Sequence, residues 1–216
     1  TGAPIVVVGL VKSAKLLKAT AESPPQPGYV HVLVTAQVKA LIRGEGGISP
    51  EIRYLVAMQT RTNGRIEKLK NRKVLVFSQA TGMAGAVQLV SRNAQMMWTQ
   101  EREDTARSVA GELLKNDAPP RVTGVGDAFF SPGTVAGDSE TQIFLKTANG
   151  APVSLSVERR RGQPPKWGVS LGELVGETAA PPERNTLLWY RLACSLPDIL
   201  PDHSARDLSG ADAVAV

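Results

Sequence analysis

Polar and apolar residues alternate with period two along much of this chain, the spacing of half-buried strands. The longest such run is Tyr29–Ile42. Val30, Val32, Val34, Ala36, Val38 and Ala40 share one face, and Tyr29, His31, Thr35, Gln37 and Lys39 share the other. Ile5–Val11 reads as a buried first strand continuing towards Leu17. Glu51–Ala57 reads as a third, Lys73–Phe77 as a short buried fourth, and Ala86–Trp98 as a fifth. The breaks between them carry the residues that stop strands. These are Pro24, Pro25 and Pro27, the run Gly44–Gly47, the Asn63-Gly64 pair, and Gly82 with Gly85.

The period changes after Trp98. Gln100–Lys115 places Ala106, Val109, Ala110, Leu113 and Leu114 at helical spacing, with acidic residues leading and Lys115-Asn116 closing. Pro119-Pro120 ends that helix, and Val122–Phe130 reads as a strand running into a loop over residues 131–140. Then comes a meander. Thr141–Thr147 turns at Asn149-Gly150 into Val153–Val157, and Trp167–Leu171 returns. Alternation predicts Val153, Leu155, Val157, Trp167, Val169 and Leu171 on the buried face, with Ser154, Ser156 and Ser170 outside. On that register truncating Leu155 is costly and truncating either Ser154 or Ser156 is cheap. Asn185 or Thr186 caps a final helix reaching about Leu196, where Pro197 stops it. Residues 202–216 are small, polar and aperiodic, the pattern of a disordered tail.

The expected fold class is therefore α+β, mainly β. An OB-like five-stranded barrel occupies residues 1–98. A helix, an antiparallel meander and a C-terminal helix follow over 99–201. The segments Val30–Gly44, Tyr54–Val56 and Leu69–Phe77 together resemble the OB-like barrels of the netrin/tissue-inhibitor (NTR) type, in which a strand ending in a basic-Gly pair precedes the strand that closes the barrel. Those modules carry disulfide cysteines and residues 1–98 have none, so the resemblance implies a barrel and not protease inhibition. As a whole the chain resembles an exported bacterial protein.

Length and composition narrow the class further. The 216 residues are enough for one large or two small domains with a core that needs no staples. No apolar run approaches the roughly 18–20 residues of a membrane-spanning helix. The start at Thr1 without Met is compatible with a removed signal peptide or with a trimmed N-terminus, both consistent with export; a periplasmic or secreted location is expected, with the cytoplasm as the other location. The single cysteine, Cys194, lies in an apolar helical pattern and is expected to be a buried, inert thiol.

Candidate chemistry is sparse. Gly168-Val-Ser170-Leu-Gly172 matches the G-x-S-x-G nucleophile elbow, with Asp198 and His203 following in hydrolase order. Alternation puts Ser170 inside a strand, however, and no βαβ repeat supplies a hydrolase sheet. Gly124-Val-Gly126 lacks the third glycine of a dinucleotide loop, and Gly82-Met-Ala-Gly85 lacks the lysine of a phosphate loop. Two histidines and one cysteine make a zinc site hard to assemble, and Asp127, Asp138 and Glu140 miss calcium-loop spacing. No cofactor and no metal are expected. The net charge of +5 favours anionic partners. Tyr29, His31, Lys39 and Arg53 are candidate contacts on the exposed barrel face. Arg159, Arg160, Arg161, Lys166 and Trp167 form a second, basic set able to hold an anion or stack a ring. The expected function is a non-enzymatic exported binding or assembly module that contacts a protein or envelope component. An oligonucleotide- or anion-binding OB protein is the alternative, and a serine hydrolase stands third.

Overall fold

Six strands lie in the first of the two units into which the chain divides, Thr1–Ala110 and Gly111–Val216. The computed structural model describes residues 2–18, 25–172, 179–201 and 204. The expected tail and His203 thus fall outside the described residues, apart from Ser204. In the first unit β1 (Ile5–Leu16), β2 (Tyr29–Arg43), β3 (Glu51–Gln59), β4 (Lys73–Ala80) and β5 (Val87–Leu89) pair antiparallel in the order β3-β2-β1-β4-β5, and β6 (Gln95–Met97) also pairs with β4. The ladder is open. Its two ends meet at one parallel bridge, Arg53 to Ala86, where the Arg53 N–H donates to Gly85 O at 2.7 Å.

The expected fifth strand is two short ones. Leu89 pairs with Ser78 and Gln95 with Val76, so Phe77 alone opposes the five residues 90–94. Phe77 nevertheless bonds both sides of this insertion, donating to Ala94 O and accepting from the Val90 N–H. A second irregularity corrects the faces of β2. Gly9 pairs with Val38 but Val8 pairs with Ala40, which leaves Lys39 as the extra residue of a bulge. Beyond it the parity flips. Val30, Val32, Val34, Ala36, Val38 and Leu41 line the main core with Val7, Val11, Ile52 and Val74, whereas Ala40 and Ile42 join Val6, Val8 and Leu75 in a cluster on the opposite face.

The helix α1 (Gln100–Glu112) covers that outer cluster lightly. Ala106 packs on it, no residue of the helix is fully buried, and Leu114 lies beyond the helix end in solvent. The expected apolar stripe therefore does not form a buried helix face. Trp98 holds the approach instead. Its Nε1–H donates to Glu103 at 2.6 Å, and the Lys73 ammonium stands 4.3 Å from its ring centroid. The Trp98 bond first, and the Arg107 bond next, hold the Glu103 carboxyl below its ordinary value.

Among the described residues of the main core Tyr54 is the one large polar side chain, and burial pushes its phenol above the ordinary value. Its hydroxyl donates to Gln95 Oε1 at 2.7 Å. Replacing Tyr54 with Phe keeps the ring and strands the amide oxygen. The expected cost is about 1 kcal/mol in a denaturant melt, the loss of one partly buried hydrogen bond. A loss below a few tenths of that would show that water replaces the phenol.

The second unit is a four-stranded antiparallel sheet in the order β10-β9-β8-β7, from β7 (Val122–Pro132), β8 (Ser139–Thr147), β9 (Val153–Arg159) and β10 (Lys166–Ser170). The meander is as expected, with Ile143 opposite Leu155 and Leu155 opposite Val169. The helix α2 (Leu187–Ala193) presents Leu188 and Leu192 to Val125, Ile143, Val153 and Leu155. Thr186 caps it by accepting the Trp189 N–H, and the Glu112 carboxylate accepts the Leu187 N–H at 2.9 Å. Cys194 is the C-cap residue and is exposed, not buried. The helix ends one turn early, so the thiol falls past the apolar stripe.

Two face assignments in the meander are corrected. Ser154 is 0% exposed and Ser156 is buried as well. The polar face of β9 is covered, because the Ser154 hydroxyl donates to Gly172 O at 3.2 Å and Ala179 lies against Gly168, the partner of Ser156. Trp167, in contrast, is 44% exposed, and Leu171 lies half in solvent past the end of β10. The strand is at the sheet edge, where only Val169 reaches the α2 core.

Candidate functional site

The residues singled out by sequence fall in two sets, one in each unit. In the first unit strand pairing builds one outward face from β1, β2 and β3. Its rows follow from register. Ser13, Thr35 and Arg53 form one row and Lys15, Leu33 and Leu55 the next; His31 lies opposite Ala57, and Tyr29 opposite Gln59. Directly opposed side chains in such pairs have Cβ atoms about 4.5–5.5 Å apart. Leu33 and Leu55 therefore meet, and Leu55 remains 54% exposed although its neighbours on the strand, Tyr54 and Val56, are buried. Tyr29 carries the Arg92 guanidinium 5.5 Å from its ring centroid.

Tyr29, His31 and Arg53 share this face as expected, but they do not converge on one point. Arg53 is opposite Thr35, four residues along β2 from His31, which is about 13 Å at strand rise. Lys39 is exposed and belongs to the bulge beyond the face. Sequence reasoning missed three members, Lys15, Leu55 and Arg92. Lys15 and Leu55 needed the register of β1 and β3 against β2. Arg92 comes from the 90–94 insertion, which alternation reads as continuous strand.

The second set surrounds the β9–β10 turn of the second unit. Arg159 ends β9 opposite Ser139, and Lys166 lies opposite Glu158. Arg160 Nη2 is 3.6 Å from Glu158 Oε2, an exposed pair of the kind worth little in solution. The Arg161 N–H donates to Asp138 Oδ1 at 2.9 Å, which ties this turn to the β7–β8 turn. Trp167 opposes Val157 with its ring partly in solvent. The basic run is thus brought together with two carboxylates that partly neutralise it.

Ser170 is the last residue of β10 and pairs with Ser154 in the ladder. It occupies a strand position, whereas an elbow nucleophile sits on a strand-to-helix turn, and residues 173–178 lie outside the described residues. Among the described residues no group of three His, Cys, Asp or Glu side chains is placed to hold a metal ion. No helix of the described chain is long and apolar enough to cross a membrane. No family model matches the chain, and no curated protein matches it in sequence.

Proposed function

We propose that the chain is a non-enzymatic, exported binding or assembly module whose first unit is an OB-type barrel and whose outward β1–β3 face contacts a protein or envelope component. Three links across the open side of the sheet support the barrel reading. They are the Arg53–Ala86 bridge, the Tyr54–Gln95 hydrogen bond and the Arg92–Tyr29 contact. Each joins β2 or β3 to the β4–β6 segment, the seam left partly open in a five-stranded Greek-key barrel. The observation that carries the binding reading is Leu55. A large aliphatic side chain over half exposed, paired with Leu33 and bordered by Lys15, Arg53 and His31, is the make-up of an interface core with a polar rim. An oligonucleotide suits this face less well, since Arg92 already takes one side of the Tyr29 ring and His31 is the only other ring on the face among the described residues.

A photo-crosslinking residue in place of Leu55 tests this in cells that make the protein. A discrete crosslinked species is expected from position 55 and not from Glu45, which is exposed in the β2–β3 turn. Leu55→Glu should abolish the corresponding complex in a native extract while leaving the circular dichroism melt unchanged. The same crosslinking pattern from both positions would overturn the assignment.

A further inference from the structure

We infer that the end of the first unit closed by the β3–β4 loop docks on an anionic lipid bilayer, a surface that borders the β1–β3 contact face at Lys15. The loop over residues 60–72 leaves β3 where Thr60 donates to Gly28 O through both its N–H and its hydroxyl. It rejoins the sheet at Val11, whose carbonyl accepts the Asn71 N–H and whose N–H donates to Arg72 O. Ile66 and Leu69 turn into the main core, so the polar side of the loop faces outward. That side carries Arg61, Arg65, Lys68, Lys70 and Arg72, all exposed. The far end of β1 runs beside it and adds Lys12, Lys15 and Lys18, exposed as well.

Glu67 is the only carboxylate in these two segments, so they carry a net charge of +7 while the whole chain carries +5. None of the eight cations is in an ion pair among the described residues. Unneutralised like charge on one surface raises the free energy of the isolated fold and lowers it next to an anionic one. Two leucines distinguish between anionic partners. Leu16 is 63% exposed and Leu17 39%, and Lys15 and Lys18 flank them directly. Exposed aliphatic side chains framed by ammonium groups on long stems match the boundary between headgroups and acyl chains. A nucleic acid would instead require stacking rings, and neither segment contains an aromatic residue.

Co-sedimentation of the full chain with phosphatidylcholine vesicles, made with or without phosphatidylglycerol, tests the inference. Binding is expected only to the vesicles containing phosphatidylglycerol and should weaken as salt is raised. Each cation near such a surface contributes roughly fivefold in affinity, so Arg61→Gln with Arg65→Gln should lower binding about thirtyfold. Leu16→Ser with Leu17→Ser should lower it too, with an unchanged circular dichroism melt. Leu55→Glu should lower it far less than the paired arginine changes, since Lys15 is the one docking cation in the row of Leu55. Equal binding to both vesicle types, or to neither, overturns the proposal. So does a labelled single-stranded oligonucleotide that binds in an Arg61- and Arg65-dependent way while the leucine variant behaves as wild type.

Discussion

Truncating Leu155 to Ala is expected to destabilise the second unit by about 2–5 kcal/mol, the range for deleting a buried leucine side chain whose surroundings relax only in part. Leu155 is nearly fully buried at the centre of the sheet, opposite both Ile143 and Val169, and it packs in the cluster that receives Leu188 and Leu192 of α2. Ser154→Ala is expected to cost about 1 kcal/mol, because it deletes one buried neutral hydrogen bond to Gly172 O. Period-two alternation alone gives a cheaper serine, since it places that hydroxyl in water. Denaturant melts followed by tryptophan fluorescence compare the two. A Ser154 loss equal to that of Leu155 would mean the two faces of β9 have been exchanged.

Gly168→Ala is the second large effect. A Cβ built on Gly168 falls 2.4 Å from the carbonyl carbon of Ala179 and 2.5 Å from its oxygen, closer than any real side chain approaches backbone. The clash is with main chain, which has no rotamer to change. The neighbouring Val169 N–H donates to Ala180 O at 3.2 Å, so moving the 179–180 segment away also costs that bond. A loss of about 1–3 kcal/mol is the usual scale of overpacking, and this site belongs at or above its upper end. Gly124→Ala is the matched control, since nothing lies within 4 Å of its added methyl. If both variants melt alike, the 179–180 segment does not press on β10.

Gly168 also gives the G-x-S-x-G match a packing role. The glycines of a nucleophile elbow relieve a strained turn, whereas Gly168 admits a crossing backbone within a strand. The same five residues serve either purpose, and only the neighbouring segment distinguishes them. The fate of Cys194 is similar in kind. Its helical spacing is real, but α2 ends at Ala193 and leaves the thiol at an exposed cap.

Local pattern sufficed wherever one physical demand dominated. Strand after strand was legible because a half-buried strand must alternate, and the turns because Pro, Gly and Asn-Gly cannot continue a ladder. The Thr186 cap was legible because a hydroxyl before an apolar helical run satisfies the free N–H groups of the first turn. Burial on the second face of a strand carries no such mark. Ser154 and Ser156 look solvated until Gly172 and Ala179 fold over them. Register is likewise non-local. The extra residue at Lys39 turns Ala40 and Ile42 to the opposite face, and no residue type in Gln37–Leu41 announces it. Arg61, Arg65, Lys68, Lys70 and Arg72 are close neighbours in the chain, but Val11 brings Lys12, Lys15 and Lys18 beside them only through its bonds to Asn71 and Arg72. Sequence by itself determined most of the strands and their breaks, the split at residues 90–94 excepted, because those are preferences of a few adjacent residues. Tertiary structure alone decided which faces are covered and which distant cations share one surface, because both depend on segments far apart in the chain competing for the same space.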